Sequence, residues 1–419
     1  MGNEWRASTW GDEITLEYGK ALRGYDATSG RVRVFGSNGP IGWTTEPLAP
    51  GPGVVLGRKG AYRGVQYSPD PFYVIDTAYY VVPKTEMDMR WLYYAIQYYK
   101  LGEINDGSPI PSTTRSAVYV QDLAVPPLNE QRRIADILGT LDDKIALNRQ
   151  MNETLQAIAH ALFRSWFVDF DPVRAKSEGR NLGLPERLDA QFPGTFEQSE
   201  RGAIPSGWQV VSLGSLCRRV AMGPFGSDIT TDNFVDSGVP VIRGRNLTDG
   251  FVDERFVFVS EAKADELRNA NAFPGDIVIT HRGTLGQVGL IPTESRYSRY
   301  VVSQSQMLLS VDPAIATPRY VFELLRSSAG QHALLTNTSQ TGVPAIARPT
   351  TSVKSIQVLR PTRAVLESFD RLLDPLIALT NCVTGETRTL ASLREALLPG
   401  LVSGQRNVTA ETTFGEGNR

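Results

Sequence analysis

The chain has 419 residues, and 43 Lys and Arg stand against 45 Asp and Glu, so the formal net charge is −2. This length is too great for one ordinary core and predicts two or three domains. The apolar runs are shorter than a membrane span, and the first residues lack the basic and apolar regions of a signal peptide. These features exclude a membrane-spanning or secreted class, and we expect a globular, cytoplasmic protein.

Cysteine and histidine are scarce. Cys217 and Cys382 are too few for a disulfide framework and are not spaced as zinc ligands, so we expect two buried thiols. His160, His281 and His332 are the three histidines, and none is paired at ligand spacing. We therefore predict that this chain binds no metal and no cofactor.

The first globule is predicted over residues 1–126. It contains Gly57-Arg58-Lys59-Gly60-Ala61-Tyr62-Arg63-Gly64-Val65 directly after an apolar, strand-like run. A similar segment, Thr280-His281-Arg282-Gly283-Thr284-Leu285-Gly286-Gln287-Val288, also follows an apolar run. When Gly60 is placed on Gly283, the two segments predict an internal duplication.

A long helix is predicted next, over residues 127–172. Two prolines end the preceding strand, and Asn129 is a suitable N-cap. Apolar residues then recur at alternating spacings of four and three, with Asn148 and Asn152 as polar interruptions. A helix from Asn129 to about Phe170 would be roughly 60 Å long and needs a partner helix. The Trp166-Phe167 pair near its end packs either into a globule or against a partner protein.

The remaining chain repeats this order. Residues 173–202 are polar and rich in Pro and Gly, and we predict a mostly exposed linker. A second globule is predicted over 203–361 and a second helix over 362–404, in which Pro375 should cause a kink or break and Pro399-Gly400 should end the helix. Residues 405–419 are predicted to form a flexible tail.

The two apolar stripes favour an antiparallel two-helix coiled coil over two helices that each pack on their own globule. Asn148 and Asn152 would set the register of this pair, unless they face water. The residues predicted to form the helix pair are Leu138, Leu141, Ile145, Asn148, Asn152, Leu155, Leu162, Leu366, Phe369, Leu373, Leu376, Val383 and Leu390.

Several of these stretches resemble one protein family. The run Pro127-Leu128-Asn129-Glu130-Gln131-Arg132-Arg133, followed by 141–145 and 163–170, is similar to the first conserved helical region of the specificity subunits of type I restriction–modification enzymes. Residues 390–404 resemble the end of the second region. Other segments are typical of target recognition domains in that family: residues 10–16 and 204–210, which open the globules, and residues 226–227, 238–243 and 283–284. The Gly-x-Pro-x-Ile-Arg run at 238–243 has its counterpart at Gly36–Gly42.

This resemblance implies a fold and a role. The fold would be α+β, with two pseudo-repeated mixed α/β target recognition domains joined by two long antiparallel helices. Each domain would read one half of a bipartite, asymmetric site in double-stranded DNA, and the helices would act as a spacer. Two modification subunits that hold S-adenosylmethionine, and two restriction subunits that use ATP and Mg²⁺, would dock on this non-catalytic chain.

The candidate DNA-binding residues lie beside glycine turns. Arg or Lys reads guanine and Asn or Gln reads adenine, and glycine lets the backbone approach phosphates. A chain of nearly zero net charge can bind DNA when its cations cluster, although each residue could also be ordinary solvated surface. The candidates are Arg31, Arg33, Asn38, Arg58, Lys59, Tyr62, Arg63, Arg243, Arg245, Asn246, Arg282, Thr284, Gln287 and Gln304.

Catalytic motifs are lacking. An adenine methyltransferase needs an Asn/Asp-Pro-Pro-aromatic motif, and the nearest sequence is Ser68-Pro69-Asp70-Pro71-Phe72. No Gly-x-x-x-x-Gly-Lys-Ser/Thr loop occurs. Two alternatives stay open: a coiled-coil adaptor whose globules bind proteins, and a specificity subunit that serves a type II-like or methylation-only complex.

Overall fold

A computed structural model describes residues 5–25, 30–104, 111–200, 202–226, 228–248, 250–339 and 342–405. The chain divides into two compact units. Unit 1 comprises Met1–Met151 and Cys382–Arg419, and unit 2 comprises Asn152–Asn381. The tail predicted after Gln405 lies outside the described residues.

Among the described residues, unit 1 contains three small sheets and three short helices. The largest sheet has the strand order β2-β8-β5-β6 with every pair antiparallel, a second sheet has the order β4-β3-β7, and β1 pairs with β9. The strands are β1 (Arg6–Thr9), β2 (Ile14–Tyr18), β3 (Val32–Gly36), β4 (Gly39–Thr44), β5 (Gly53–Gly57), β6 (Val65–Ser68), β7 (Phe72–Val74), β8 (Ala78–Pro83) and β9 (Asp122–Val125). The helices are α1 (Trp10–Glu13), α2 (Met89–Tyr98) and α3 (Arg115–Tyr119).

The core of unit 1 forms where α2 packs on the β5 and β6 strands. All of β5 is buried, because its run of apolar residues is covered on both faces. Asp88 caps the N-terminus of α2 by accepting hydrogen bonds from the amides of Arg90 and Trp91, at 2.9 and 2.8 Å. Trp91 is fully buried in this core.

Unit 2 has more elements than unit 1. Its strands are β10 (Phe196–Ser199), β11 (Gly202–Pro205), β12 (Gln209–Ser212), β13 (Cys217–Met222), β14 (Phe234–Val235), β15 (Val239–Ile242), β16 (Val257–Val259), β17 (Asn271–Ala272), β18 (Ile277–Thr280), β19 (Val288–Leu290), β20 (Tyr300–Val302), β21 (Gln306–Val311), β22 (Thr338–Ser339), β23 (Ala345–Ile346) and β24 (Gln357–Arg360). Its short helices are α5 (Asp171–Ser177), α6 (Glu186–Asp189), α7 (Glu261–Glu266), α8 (Pro318–Arg326), α9 (Ser328–Leu335) and α10 (Pro349–Ser355).

The two units share one strand topology, which confirms the predicted duplication. The order β13-β21-β18-β19 in unit 2 repeats β2-β8-β5-β6 in unit 1, again with every pair antiparallel. The parallel pair β15–β20 repeats β3–β7, and the antiparallel pair β12–β24 repeats β1–β9. Strand β1 corresponds to β12, and Trp5 and Trp208 lie directly before these strands, so Trp5 and not Trp10 is the counterpart of Trp208. The predicted alignment of residues 10–16 with 204–210 is therefore wrong in register.

Two helices of 40 residues each follow the globules: α4 (Leu128–Phe167) and α11 (Arg363–Val402). In unit 1 the early part of α4 contacts the late part of α11, since Arg394 donates to Asp142 over 2.7 Å and Asn148 to Glu386 over 2.8 Å. In unit 2 the late part of α4 contacts the early part of α11, where the Phe167 and Phe369 rings lie 5.0 Å apart. The helices therefore run antiparallel, and the predicted α+β fold class is confirmed.

The residues predicted for helix pairing are all buried or half-buried. Asn148 is 0% exposed, so the alternative in which it faces water is wrong. Asn152 is half-buried. Trp166 and Phe167 belong to the core of unit 2, where they pack with Phe192 and Phe369, which is the packing alternative of the two considered.

Three predicted helix signals are wrong. Asn129 is not the N-cap, because α4 starts at Leu128 and the Glu130 amide bonds the Pro127 carbonyl at 2.8 Å. Pro375 does not break α11. Proline has no N–H for the carbonyl four residues earlier, but Pro375 lies on an exposed face of the helix, where water can bond that carbonyl. Pro399 lies inside the last turn, and Gly404, with φ of +74°, follows the helix end instead.

Two further expectations are met only in part. The segment 173–202 is mostly exposed, as predicted, but it is folded: α5, α6 and the strands β10 and β11 lie along it, and it buries Val173 and Phe192 in the core of unit 2. The sequence pattern misses this because the apolar residues are few and widely spaced. Cys217 is half-buried as a free thiol, but Cys382 is exposed on α11.

Candidate nucleic-acid interface

Five loops converge at one end of the main sheet of unit 1, and we call residues 18–20, 36–39, 58–64, 75–77 and 111–115 the first loop face. Backbone hydrogen bonds join these loops. The Gly64 amide bonds the Ser37 carbonyl at 2.9 Å, and the Gly60 amide bonds the Pro111 carbonyl at 3.0 Å. The Arg58 amide bonds the Thr77 carbonyl at 3.0 Å. The loops are thus held as one surface.

Unit 2 builds the same surface from residues 222–226, 243–246, 281–287, 303–306 and 342–348, which we call the second loop face. The His281 amide bonds the Ser305 carbonyl at 3.0 Å, as Arg58 bonds Thr77 in unit 1. The Gly283 amide bonds the Pro344 carbonyl at 2.8 Å, as Gly60 bonds Pro111. The two faces therefore share one hydrogen-bonded frame.

This frame gives the residue correspondence directly. Gly60 matches Gly283, as the sequence comparison predicts, and both need glycine because their φ angles are +114° and +93°. Lys59 then matches Arg282, and both side chains are exposed. A cation thus occupies the same exposed position in each unit.

Most predicted DNA-binding residues lie on these faces. On the first face, Tyr62 is 77% exposed, Asn38 and Lys59 are also exposed, and Arg58 is half-buried. On the second face, the exposed residues are Arg245, Arg282, Thr284 and Gln304, and Arg243 and Gln287 are half-buried. Burial and the neighbouring Arg245 lower the pKa of the Arg243 guanidinium.

Two of the predicted DNA-binding residues make hydrogen bonds that brace their own loops. The Arg63 guanidinium donates to the carbonyls of Gly60, Gly102 and Ile104 at 2.7, 2.8 and 3.1 Å. Asn246 is 1% exposed, and its amide donates to the carbonyls of Val252 and Glu254 at 3.2 and 2.8 Å. Both amide hydrogens of Asn246 are used, so this buried residue is corrected to a brace of its loop. Arg63 uses three of its five N–H donors in the same way, and its contact with DNA stays a prediction.

Two other candidates lie away from the first loop face. Arg31 directly precedes β3, at the end of the strand opposite Gly36. Arg33 lies within β3, and its guanidinium stacks 4.4 Å from the centre of the Trp43 ring. The structure therefore does not bring these arginines together with Arg58 and Lys59.

The predicted counterpart of the Gly-x-Pro-x-Ile-Arg run is also wrong. The strand that matches β15 is β3, because both run parallel to the corresponding neighbour, β20 or β7. Residues 36–42 instead include the turn between β3 and β4. The glycine and proline there produced a local likeness without the same position in the fold.

Sequence reasoning missed an aromatic and cationic cluster on the first loop face. The Arg58 and Arg115 guanidinium carbons lie 5.1 and 4.2 Å from the centre of the Tyr18 ring, which is 47% exposed. Burial, with a hydrogen bond to Tyr18, raises the pKa of Tyr79 beneath it to about 12. Arg115 is far from Arg58 in sequence and has no neighbouring glycine turn, so no local signal marks it.

The matching part of the second loop face is less polar. His281 occupies the position of Arg58, is 5% exposed, and has its pKa lowered by burial. Met222 and Met307 form the register pair that matches Tyr18 and Tyr79. Phe225 projects nearby with 80% exposure and was also missed by sequence reasoning. The two faces thus present different chemistry on one frame.

The described part of the chain contains no group of three or more His, Cys, Asp or Glu side chains that could hold a metal ion. Among its helices, none is long and apolar enough to cross a membrane.

Comparisons with known proteins agree with one another. The family model for the type I restriction modification DNA specificity domain matches residues 29–157. The type I restriction enzyme HindI specificity subunit of Haemophilus influenzae is 24% identical over 349 residues, which cover 74% of each chain. The MjaIX specificity subunit of Methanocaldococcus jannaschii is 23% identical over 339 residues, covering 78% of this chain and 71% of that protein.

A solved structure shows the same fold. The crystal structure of a type I restriction-modification system S subunit from M. genitalium covers 98% of both chains with a TM-score of 0.56 and 14% identity. The predicted resemblance is therefore confirmed: residues 29–157 match the family model for the type I restriction modification DNA specificity domain, and the chain is similar to type I specificity subunits over about three quarters of its length.

Proposed function

We propose that this chain is the DNA-binding specificity subunit of a type I restriction–modification complex and that each loop face reads one half of a bipartite, asymmetric site. The observation that carries the proposal is the repeated frame, with Lys59 and Arg282 exposed at the same position of each unit. Rigid loops that present cations and amides beside glycines suit base-edge and phosphate contacts in a DNA groove.

The paired helices are proposed as the scaffold for partner subunits. Both helices expose apolar side chains: Leu147 and Ile158 on α4, at 54% and 47% exposure, and Leu379 and Leu393 on α11, at 43% and 44%. Ile158 and Leu393 occupy the same position of the two helices, 30 residues after each helix start. An exposed apolar position that is repeated suits two copies of one partner. We propose that these are modification subunits, and that restriction subunits join them.

The chemistry is proposed to reside on those partners. S-adenosylmethionine would be held by the modification subunits, and ATP with Mg²⁺ by the restriction subunits, so this chain would select the site without catalysing a reaction. The lack of an adenine methyltransferase motif and of a phosphate-binding loop in the sequence supports this division.

The test is methylome sequencing of cells that produce this chain with its modification subunit. We expect one bipartite motif, with methylated adenines in both halves. Arg282→Ala should relax recognition of the half read by unit 2, and Lys59→Ala should relax the half read by unit 1, because each cation lies on its own face. Arg187→Ala, an exposed arginine on α6, is the matched control and should leave the motif unchanged. Equal losses in both halves from either substitution would refute the assignment of one reader to each unit.

A second experiment tests the spacer role. Four residues inserted into α4, with four inserted opposite them in α11, would lengthen each helix by about 6 Å, at 1.5 Å per residue. This length corresponds to about two base pairs at 3.4 Å each, so the motif should gain unspecified positions between its halves. An unchanged spacing would remove the helices from the role of spacer.

A further inference from the structure

A chain of side-chain hydrogen bonds runs beneath the second loop face and ends at Gln287. The Ser303 hydroxyl donates to Oε1 of Gln306, and Nε2 of Gln306 donates to Oγ1 of Thr280 over 3.2 Å. The Thr280 hydroxyl in turn donates to Oε1 of Gln287 over 2.9 Å. Thr280 and Gln306 are each 1% exposed, so the Gln287 amide is anchored from the buried side.

The other end of this amide is accessible. Within the described residues, Nε2 of Gln287 has no hydrogen-bond partner, and the side chain is half-buried at the edge of an open hollow of about 350 Å³ that Thr248 and Arg326 also line. A Cβ built at Gly244 would lie 3.1 Å from Oε1 of Gln287. Glycine between Arg243 and Arg245 therefore keeps the space above the amide open.

The fold itself does not require this chain of hydrogen bonds. The amide of residue 280 bonds the carbonyl of residue 287 at 3.0 Å, and the amide of residue 306 bonds the carbonyl of residue 303 at 3.0 Å. Unit 1 repeats both backbone bonds, at 2.9 and 3.1 Å. Its residues at the positions of Thr280, Gln287 and Gln306 carry no polar side chain: they are Gly57, Gly64 and Ala78. The same backbone thus forms without the polar side chains. Since the fold does not need these side chains, we assign them to the recognition of a ligand.

We propose that Gln287 selects an adenine in the half-site read by unit 2, and that Ser303, Gln306 and Thr280 are positioning residues that orient its amide. This inference rests on the proposed function. A glutamine amide reads adenine by donating to N7 and accepting from the N6 amino group. The carbonyl oxygen has two lone pairs, so Oε1 accepts from N6 while it keeps the Thr280 hydroxyl. An amide held by buried neighbours discriminates better than a mobile one.

Gln287→Ala in the complex with the modification subunit tests the first part. Methylome sequencing should show that one A·T position in a single half of the motif becomes degenerate, with discrimination reduced by about 5- to 150-fold. The other half should stay unchanged. DNA with 7-deazaadenine at the affected position lacks the N7 acceptor, so it should bind the wild-type complex more weakly and leave the Gln287→Ala complex unaffected.

Thr280→Val and Thr280→Ser test the positioning chain as a matched pair. Valine keeps the shape but removes the hydroxyl, so the same A·T position should become degenerate although Gln287 is present. Serine keeps the hydroxyl and should restore the motif. If Thr280 only stabilised the fold, the valine variant would have a lower melting temperature and an unchanged methylation motif.

The outcomes separate the two proposals. An unchanged motif in Gln287→Ala, a change at a G·C pair, or a change in both halves overturns the inference while the bipartite motif of the wild type still supports the proposed function. A wild-type complex that methylates no bipartite motif overturns the proposed function itself, and the inference with it.

Discussion

Glu13→Gln is expected to destabilise unit 1 in a strongly pH-dependent way. The Glu13 side chain is 1% exposed, and its Oε1 accepts hydrogen bonds from Arg6 and from Ser8, each over 2.5 Å. Its Oε2 accepts from the Thr85 hydroxyl over 2.7 Å. The hydrogen bond from Arg6, with those of Ser8 and Thr85, lowers the pKa of Glu13 to about 2 from its ordinary 4.5.

The magnitude follows from this pKa difference. A carboxyl group that titrates at about 2 when folded and 4.5 when unfolded stabilises the fold at pH 7 by about 3.5 kcal/mol, at about 1.4 kcal/mol per tenfold change. The Arg6 side chain is 55% exposed, so solvent screening reduces this to about 2 kcal/mol. Since the folded pKa is the lower one, the stabilisation is complete above pH 4.5 and is lost as the pH falls toward 2.

Urea unfolding of the wild type and Glu13→Gln at pH 7 and pH 3 measures this effect, with pulse-labelling hydrogen exchange of the β2 and β8 peptides reporting on unit 1. The variant should lose about 2 kcal/mol at pH 7 and less than half of that at pH 3. Glu17→Gln on the same strand is the control, because its ion pair with Arg115 at 3.5 Å is half exposed, and it should cost less than about 1 kcal/mol. A Glu13→Gln deficit that is the same at both pH values would refute the reasoning.

Three further results are expected. Asn148→Leu should raise the free energy of unfolding by about 1 kcal/mol in urea titrations, since the fully buried amide makes one hydrogen bond, to Glu386 at 2.8 Å; a loss of stability would show that the amide is net stabilising. Arg90→Ala should cost about 1–2 kcal/mol, because its guanidinium makes two hydrogen bonds to Asp143, at 2.5 and 2.9 Å; hydrogen exchange that stays equally slow in α2 would contradict this. Burial raises the pKa of Cys217 to about 12, so iodoacetamide at pH 8 should label exposed Cys382 and leave Cys217 largely unmodified, as peptide mass spectrometry would show; equal labelling would contradict the burial.

The architecture was largely predictable because it depends on patterns that are local or repeated. Leu138, Leu141 and Ile145 are spaced three and four residues apart in the sequence. Residues at this spacing lie on one face only when the segment is helical, so the sequence itself indicates the helix. The repeated glycine segments likewise indicated a duplication, and the alignment of Gly60 on Gly283 agrees with the matched hydrogen bonds. Helix ends were less predictable, since Asn129 and Pro399 carry end signals that the surrounding chain overrides.

The candidate site was only partly predictable. Residue type and a nearby glycine mark Arg58, Arg63 and Asn246 equally. Only Arg58 lies beside an exposed aromatic ring, whereas Arg63 and Asn246 donate to backbone carbonyls that brace their loops. That difference depends on which loops meet, and the carbonyls that bind Arg63 come from residues about 40 positions away. Arg115 was missed for the same reason.

The sequence by itself determined the two-fold repeat, the pair of long amphipathic helices and the family resemblance, because each is written in the spacing of apolar residues and glycines along the chain. Only the tertiary structure decided which polar side chains remain available to a ligand. The Arg63 guanidinium binds carbonyls about 40 residues away, and Gln306, 26 residues from Thr280, completes the hydrogen bonds that orient the Gln287 amide. The amide of Asn246 is used within its own loop because the fold buries it there.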